Sequence, residues 1–200
     1  MEKQLIDEKK IVEKAQQGDK ASLAELVKIY SPKIYGLALR MMRNEEDAED
    51  VLQETFVLMI RKISTFSGKS SFYTWLYRVA TNVALGKLRD KKYTTQTVSL
   101  SDSEHAYLKG HQLSEWPDHL EDKLDDQVFL ECLKKAMQAL PDNYRAVFVL
   151  RDLENMSTKE TSKILDISEA NVKVRLMRAR LFLRDQLANH LQCVEIPYGA

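Results

Sequence analysis

The run Ser157–Leu187, STKETSKILDISEANVKVRLMRARLFLRDQL, decides the fold of this chain. Ser157 followed by Glu160 has the form of a capping box: the hydroxyl accepts a backbone N–H and the carboxylate reaches back, so a helix starts here. Asp166-Ile167-Ser168 makes a tight turn, and Ser168 caps a second helix. Along that second helix Val172, Leu176, Ala179 and Leu183 recur at i, i+4, i+7 and i+11, which sets them on one inward stripe. The opposite face carries Ala170, Lys173, Val174, Met177 and Arg178. Two helices joined by a tight turn, the second rich in Arg and Lys, form the pattern of a helix-turn-helix that reads DNA.

A recognition helix meets base edges mainly with its N-terminal half, so Asn171, Lys173, Val174, Met177 and Arg178 are the candidates for base contact. Arg175, Arg180 and Arg184 lie toward the flanks and suit phosphates, which position a protein without reading sequence. An ordinary amphipathic helix with a solvated basic face would share the periodicity. It would not explain the turn spacing or the concentration of basic charge.

The 200 residues suffice for one or two small domains, and a hydrophobic fraction of 44% supports ordinary helical cores. No apolar run is long enough to span a membrane, and the charged N-terminus MEKQLIDEKK is no signal peptide, so a cytoplasmic protein is expected. Cys132 and Cys193 stand alone, without the paired spacing of a zinc site or disulfide framework. His105, His111, His119 and His190 form no ligand cluster, so no metal and no cofactor are expected. Thirty basic and thirty acidic residues cancel. A protein that held DNA alone by releasing counterions would carry excess positive charge, so part of the affinity is expected to come from a larger partner.

Scarce Gly and Pro, 6 and 4 in the whole chain, and pervasive helical periodicity predict an all-α protein of two small helical domains. The first occupies residues 1–93. Within it Gly18-Asp19 marks a helix stop and restart, Pro32 suits the first turn of a further helix, and Asn44 caps a helix opening with Glu45-Glu46-Asp47. Residues 94–126, rich in Ser, Thr, Asp and Glu, form an acidic flexible linker. The second domain covers 127–187, with a helix through Leu140, a break at Pro141-Asp142 and a helix over Tyr144–Leu153; residues 188–200 are a tail.

In the helix from Glu45, Val51, Leu52, Thr55, Phe56 and Met59 share one face, leaving Asp47, Asp50 and Glu54 outward with Gln53 beside them. Spacing alone favours a solvated acidic face over a docking surface for a basic partner. From Phe66 to Lys92, Phe66, Phe72, Tyr73, Trp75 and Tyr77 interleave with Lys69, Arg78, Lys87, Arg89, Lys91 and Lys92. Aromatic platforms edged by cations suit single-stranded nucleic acid, each stacked base contributing ~1–3 kcal/mol. A base drawn out of a duplex needs a pocket of hydrogen-bonding groups, which Asn82 and the loop Phe66–Ser71 offer. Burial of Phe72 or Trp75 as core aromatics is the competing expectation.

With DAEDVLQETF (47–56), FSGKSSFYTWLYRVATN (66–82) and LPDNYRAVFVLRDLE (140–154) preceding the helix-turn-helix, the chain resembles a bacterial RNA polymerase sigma factor of the extracytoplasmic-function (ECF) group, which keeps only regions 2 and 4. The resemblance covers about residues 18–93 and 127–187. It implies that Asp50, Gln53 and Glu54, with Asp47, dock on the clamp coiled coil of the polymerase largest subunit, reversing the preference for a solvated face. It also implies contact with the polymerase flap, and capture of a flipped minus-10 base by Lys62, Phe66 and Asn82 with the intervening loop. Lys69, Ser71, Tyr73, Trp75, Arg78, Lys87 and Arg89 complete the minus-10 set. Lys173, Val174, Met177 and Arg178 match the positions that read the minus-35 element, with Asn171, Arg175 and Arg180 alongside.

The linker resembles the family segment that threads polymerase near the RNA path. The resemblance further implies promoter DNA and an anti-sigma factor as partners, and stress- or envelope-response genes as targets. Ser67 stands where Arg is common, Asp166 where Gly is common, and Asn171, Val174 and Met177 are unusual on the recognition helix. Asp tolerates the left-handed turn. The rival function is an autonomous helix-turn-helix repressor or activator binding a two-fold symmetric site. An enzyme is not expected: no nucleophile, base and orienting group converge, no phosphate-binding Gly loop is present, and no small-molecule substrate is implied.

Overall fold

The computed structural model describes residues 2–94 and 127–191, with side chains over 8–91 and 131–187; the linker beyond Thr94, Cys193 and the end of the tail lie outside the described residues. Every regular element among the described residues is helical. The α-helices are α1 (Glu2–Gln16), α2 (Lys20–Met42), α3 (Glu45–Lys62), α4 (Phe72–Thr94), α5 (Gln127–Ala139), α6 (Asp142–Phe148), α7 (Thr158–Leu165) and α8 (Glu169–Leu191). The chain divides into two compact units, Met1–Thr95 with Lys159–Ile167 and Gln96–Thr158 with Ser168–Ala200.

Local chemistry sets the helix boundaries of the first unit. Gly18 takes φ +87, a conformation open to glycine, and ends α1. Asp19 then caps α2, its carboxylate accepting the Ser22 N–H at 2.8 Å and the Ser22 hydroxyl at 2.5 Å; these bonds hold its carboxyl below the usual carboxylate range. Asn44 caps α3 by accepting the Asp47 N–H at 2.8 Å, and Glu45, Glu46 and Asp47 complement the dipole of its first turn.

Pro32 does not begin a helix. It lies inside the 23-residue α2, on an exposed position. The reason is tertiary: Leu26, Tyr30, Ile34, Leu37, Ala38, Met41 and Met42 bury a continuous stripe on both sides of it, and this burial outweighs the missing N–H. The Ser31 hydroxyl donates to the Val27 carbonyl at 2.7 Å. The Lys28 carbonyl, deprived of its donor by the proline, belongs to the exposed side of α2, where Lys28 and Pro32 both face solvent. α2, α3 and α4 pack on one another and α1 packs on α2. Their core includes Val51, Met59, Leu76, Tyr77 and Ala84.

In the second unit α5, α6 and α8 enclose Ala136, Leu140, Tyr144, Phe148, Ala179 and Leu183. Of the expected inward stripe, Val172, Ala179 and Leu183 are buried and Leu176 is half-buried against the same core, and Leu187 extends the buried line by a turn. α8 continues beyond Leu187 to Leu191. Cys132 is half-buried beside the Leu133–Leu187 cluster. The helix after Pro141 changes type midway: Val149–Leu153 forms a π turn, closed by Glu154 N–H to the Val149 carbonyl at 2.9 Å.

Candidate nucleic-acid and partner interfaces

α3 presents two chemistries along its outer side. Glu46, Glu49, Gln53, Val57 and Ile60 recur at i, i+3, i+7, i+11 and i+14 and are all exposed, with Asp50 and Glu54 alongside. The first half of the face is acidic; the second is apolar, with Val57 at 45% and Ile60 at 49% exposure. These two apolar residues escaped the sequence reading. Their spacing from Gln53, opposite Val51, Thr55 and Met59, was the available signal.

Asp47 is not outward. It is 8% exposed and accepts hydrogen bonds from the Asn44 amide and, at 2.5 Å, from Lys91. The Lys91 bond, then the Asn44 bond, lowers its carboxyl below the ordinary value. The helical position that completes the Asn44 cap turns this carboxylate toward α4. Asp50 and Glu54, at 56% and 52% side-chain exposure, face Lys87 at 3.1 and 3.9 Å. Lys87, expected to meet phosphate, is thus occupied by carboxylates in the chain alone.

Lys62 and Asn82 come together. Both line a groove of about 410 Å³ between α3 and α4, with Glu54, Leu58, Lys87 and Asp90. Its donors and acceptors could meet the edge of a base. Asn82 also belongs to a stripe of α4, with Trp75, Arg78 and Arg89 at i, i+3, i+7 and i+14; Trp75 is half-buried and the others are exposed. Lys69 is exposed in the loop before α4.

Phe66 lies elsewhere than the expected shared pocket. It lines a second cavity of about 430 Å³ with Gln16, Ser67, Gly68, Ser70 and α1 residues including Val12 and Glu13. Gln16 anchors this loop by donating to the Ile63 and Phe66 carbonyls at 3.1 and 2.7 Å. Ser71 acts as the cap of α4: its hydroxyl accepts the Thr74 N–H at 3.1 Å.

The aromatics largely satisfy one another. Phe66, Phe72 and Trp75 have mutual centroid distances of 5.4–5.7 Å. Tyr73 lies 4.2 Å from Tyr77 and under Lys33 at 5.6 Å. Phe72 and Tyr77 are buried, whereas Phe66, Tyr73 and Trp75 are half-buried. The surface left for a stacked base is smaller than the composition implied.

In the helix-turn-helix segment, α7 begins at Thr158 with Ser157 in the capping position. Asp166 adopts φ +54 in the turn. The Ile167 N–H donates to the Ser162 carbonyl, and Ser168 Oγ accepts the Asn171 N–H at 3.2 Å. On α8, Asn171, Lys173, Val174 and Met177 are exposed, whereas Arg175 and Arg178 are half-exposed. Arg178 donates to the Tyr144 hydroxyl at 3.4 Å.

Arg180 makes a bidentate pair with Asp152 in the π turn, Nε–Oδ2 2.8 Å and Nη2–Oδ1 2.7 Å. This raises its pKa, the Asp152 hydrogen bonds being the main cause. Arg184 pairs with Asp185 at 2.9 Å. Arg180, expected at a phosphate, is thus tied to the π turn in the chain alone, whereas Arg184 is paired with its neighbour on α8. The sequence reading also missed Arg145: it is buried at 1% exposure and bound to Asp142 at 2.5 Å and to the Leu140 carbonyl at 3.3 Å.

No group of three or more His, Cys, Asp or Glu side chains among the described residues could hold a metal. No described helix is long and apolar enough to cross a membrane.

These features define a helical protein with a basic, outward-facing helix in one part and an acidic and apolar outer helix in the other. The model for Sigma-70 region 2 matches residues 26–94, and that for Sigma-70, region 4, matches 130–183. The ECF RNA polymerase sigma factor SigW of Bacillus subtilis is 35% identical over 182 residues, covering 90% of this chain and 96% of SigW. The RNA polymerase sigma-H factor of Pseudomonas aeruginosa is 32% identical over 176 residues, covering 86% and 90%. The fold is shared with RpoE of Bartonella quintana, solved with the anti-sigma factor NepR, at TM-score 0.60 and 21% identity over 82% of this chain and 96% of that one. CnrH, solved with the cytosolic domain of CnrY, gives 0.59 and 22% over 92% and 96%.

The chain belongs to the ECF sigma factors of the sigma-70 family. As such it is a non-catalytic subunit that binds core RNA polymerase and promoter DNA and initiates transcription, which removes the autonomous repressor as a reading.

Proposed function

We propose that this sigma factor works in the cytoplasm through three surfaces. The outer face of α3, with Asp50, Gln53, Glu54, Val57 and Ile60, docks on the clamp coiled coil of the polymerase largest subunit. Carboxylates answer basic side chains there, and the two exposed apolar residues supply desolvated area. The α3–α4 groove, with Lys62 and Asn82, takes a minus-10 base drawn from the duplex, while Trp75, Arg78 and Arg89 accompany the melted strand. Asn171, Lys173, Val174, Met177 and Arg178 read the minus-35 element, Arg175 faces a phosphate, and the second domain also meets the polymerase flap. Residues 1–93 and 127–187 are the working domains, and 94–126 passes near the RNA path.

The shared groove carries this reading: Lys62 at the end of α3 and Asn82 within α4 line one cleft of mixed polar and apolar walls beside the acidic face. Regulation by an anti-sigma factor that covers both domains, in response to envelope stress, fits the group to which the chain belongs. The test is run-off transcription of fragmented host DNA by core polymerase with and without the protein. New discrete starts sharing two upstream elements at fixed spacing are expected, and Asn82→Ala should reduce open-complex formation while leaving polymerase binding intact. Absence of new starts, or equal loss of both activities in the variant, would overturn the assignment.

A further inference from the structure

Large apolar side chains left in water ask for a partner, and among the described residues five are exposed: Ile29, Val57, Ile60, Val174 and Met177. Val174, 42% exposed, and Met177, 43% exposed, are neighbours at i, i+3 on α8. With 100° per residue, they straddle the direction opposite the buried Val172 and Ala179. Lys173 stands at one edge of this face and Asn171 and Arg178 at the other. The centre of the face is therefore apolar and its edges polar or basic. Valine at an exposed mid-helix position lowers helix propensity and gains nothing from the core. The flanking cations favour a polyanion over a purely apolar partner. In a major groove, the apolar feature of a base edge is the C5-methyl group of thymine.

We propose that Val174 and Met177 each pack on a thymine methyl of the minus-35 element, so that two A·T pairs of that element are chosen by contact with carbon rather than by hydrogen bonds. This rests on the reading of α8 as the minus-35 helix and adds its chemical preference. Asn171 and Arg178 at the edge are suited to adenine and guanine respectively, so the methyl contacts fix which strand of an A·T pair faces the centre of the helix.

The experiment uses holoenzyme formed from the full chain and core polymerase, on a promoter mapped by run-off transcription. Each thymine of the minus-35 element is replaced singly by 2′-deoxyuridine, which deletes the methyl and leaves pairing unchanged. At two positions affinity should fall about fourfold, the worth of one buried methyl-sized group. Val174→Ala should abolish the sensitivity at one position and Met177→Ala at the other, each leaving affinity for the deoxyuridine duplex near that of the unaltered protein. Both substitutions are exposed and raise helix propensity, so folding is preserved.

Insensitivity to deoxyuridine at every thymine, alongside strong loss on inverting whole base pairs, would overturn the methyl contacts while leaving the minus-35 assignment standing. Indifference to a fully scrambled minus-35 element would overturn both. Variants that keep the deoxyuridine sensitivity but lose capture by a protein inhibitor would show that this apolar centre serves a protein partner, and would also overturn the proposal.

Discussion

Breaking the Arg180–Asp152 fork should destabilise the second unit while leaving phosphate contacts untouched. Two charge-assisted bonds of 2.8 and 2.7 Å join a side chain 40% exposed to one 17% exposed. Buried hydrogen bonds to charged groups contribute ~1.5–3 kcal/mol and exposed pairs ~0.2–1 kcal/mol, so half-exposure discounts this fork to about 1–1.5 kcal/mol. The two deletions are unequal. Arg180→Ala strands a largely buried carboxylate in the π turn and should cost about 2 kcal/mol; Asp152→Ala leaves a long side chain able to reach water and should cost about 1 kcal/mol. Native-state hydrogen exchange of α8 amides reads both, and the double variant yields the coupling. In parallel, the salt dependence of promoter binding by holoenzyme should keep its slope in Arg180→Ala. Coupling below about 0.3 kcal/mol, with a slope reduced by roughly one unit, would refute the brace and return Arg180 to a phosphate.

Pro32→Ala restores an N–H to the Lys28 carbonyl on an exposed face, and should raise the urea midpoint by a gain of about 1–2 kcal/mol after allowance for the freer unfolded chain; an unchanged midpoint would contradict the account of α2. Asp47 titrates below its unfolded value near 3.9, so it contributes stability above about pH 4 that is lost as pH falls through the lower folded pKa. Asp47→Asn should therefore be destabilising at pH 6, with the gap to the unaltered protein closing toward pH 3 in thermal melts; a constant gap would exclude the ionised Lys91 pair as its source. Asp166 at φ +54 should accept Gly with little change, whereas Asp166→Val should cost about 1–2 kcal/mol in chemical denaturation. Equal stability of the two variants would remove the left-handed turn as the reason.

Periodicity made the helices legible because inward stripes such as Val172–Leu183 answer to one local rule, burial every three to four residues. Caps were legible for the same reason: Asn44 and Ser168 bond within three residues of themselves. Pro32 was misplaced because its local preference for a first turn loses to burial of Tyr30 and Ile34 on either side, a tertiary effect. The charged residues were hardest to assign. Arg180 and Lys91 look alike in sequence as cations on basic helices, yet each meets a carboxylate on a different helix or turn. Pairing at separations of 28 and 44 residues leaves no periodic trace. Phe66 parted from Lys62 and Asn82 likewise, because Gln16, from a helix the sequence reading gave no role, anchors its loop.

The neutral net charge takes on a mechanical sense once these pairs are seen. In the first unit Lys87 lies against Asp50 and Glu54, and Lys91 against Asp47, so cations of α4 that phosphate would otherwise attract are already opposed by α3. On the proposed reading DNA must compete with these carboxylates, which weakens the electrostatic hold of the chain alone. Glu54 sits where the two proposed surfaces meet, being both part of the outer acidic face and a wall of the groove that holds Lys62 and Asn82. A basic partner drawn to Asp50 and Glu54 competes with Lys87 for the same carboxylates, and thereby returns a cation to the groove. Because α3 is one continuous helix packed on α2 and α4, docking along its outer side also fixes where that groove points. On the proposed reading, polymerase binding and base capture are then linked through shared side chains on one rigid element, which makes the partner a condition for tight engagement of promoter DNA.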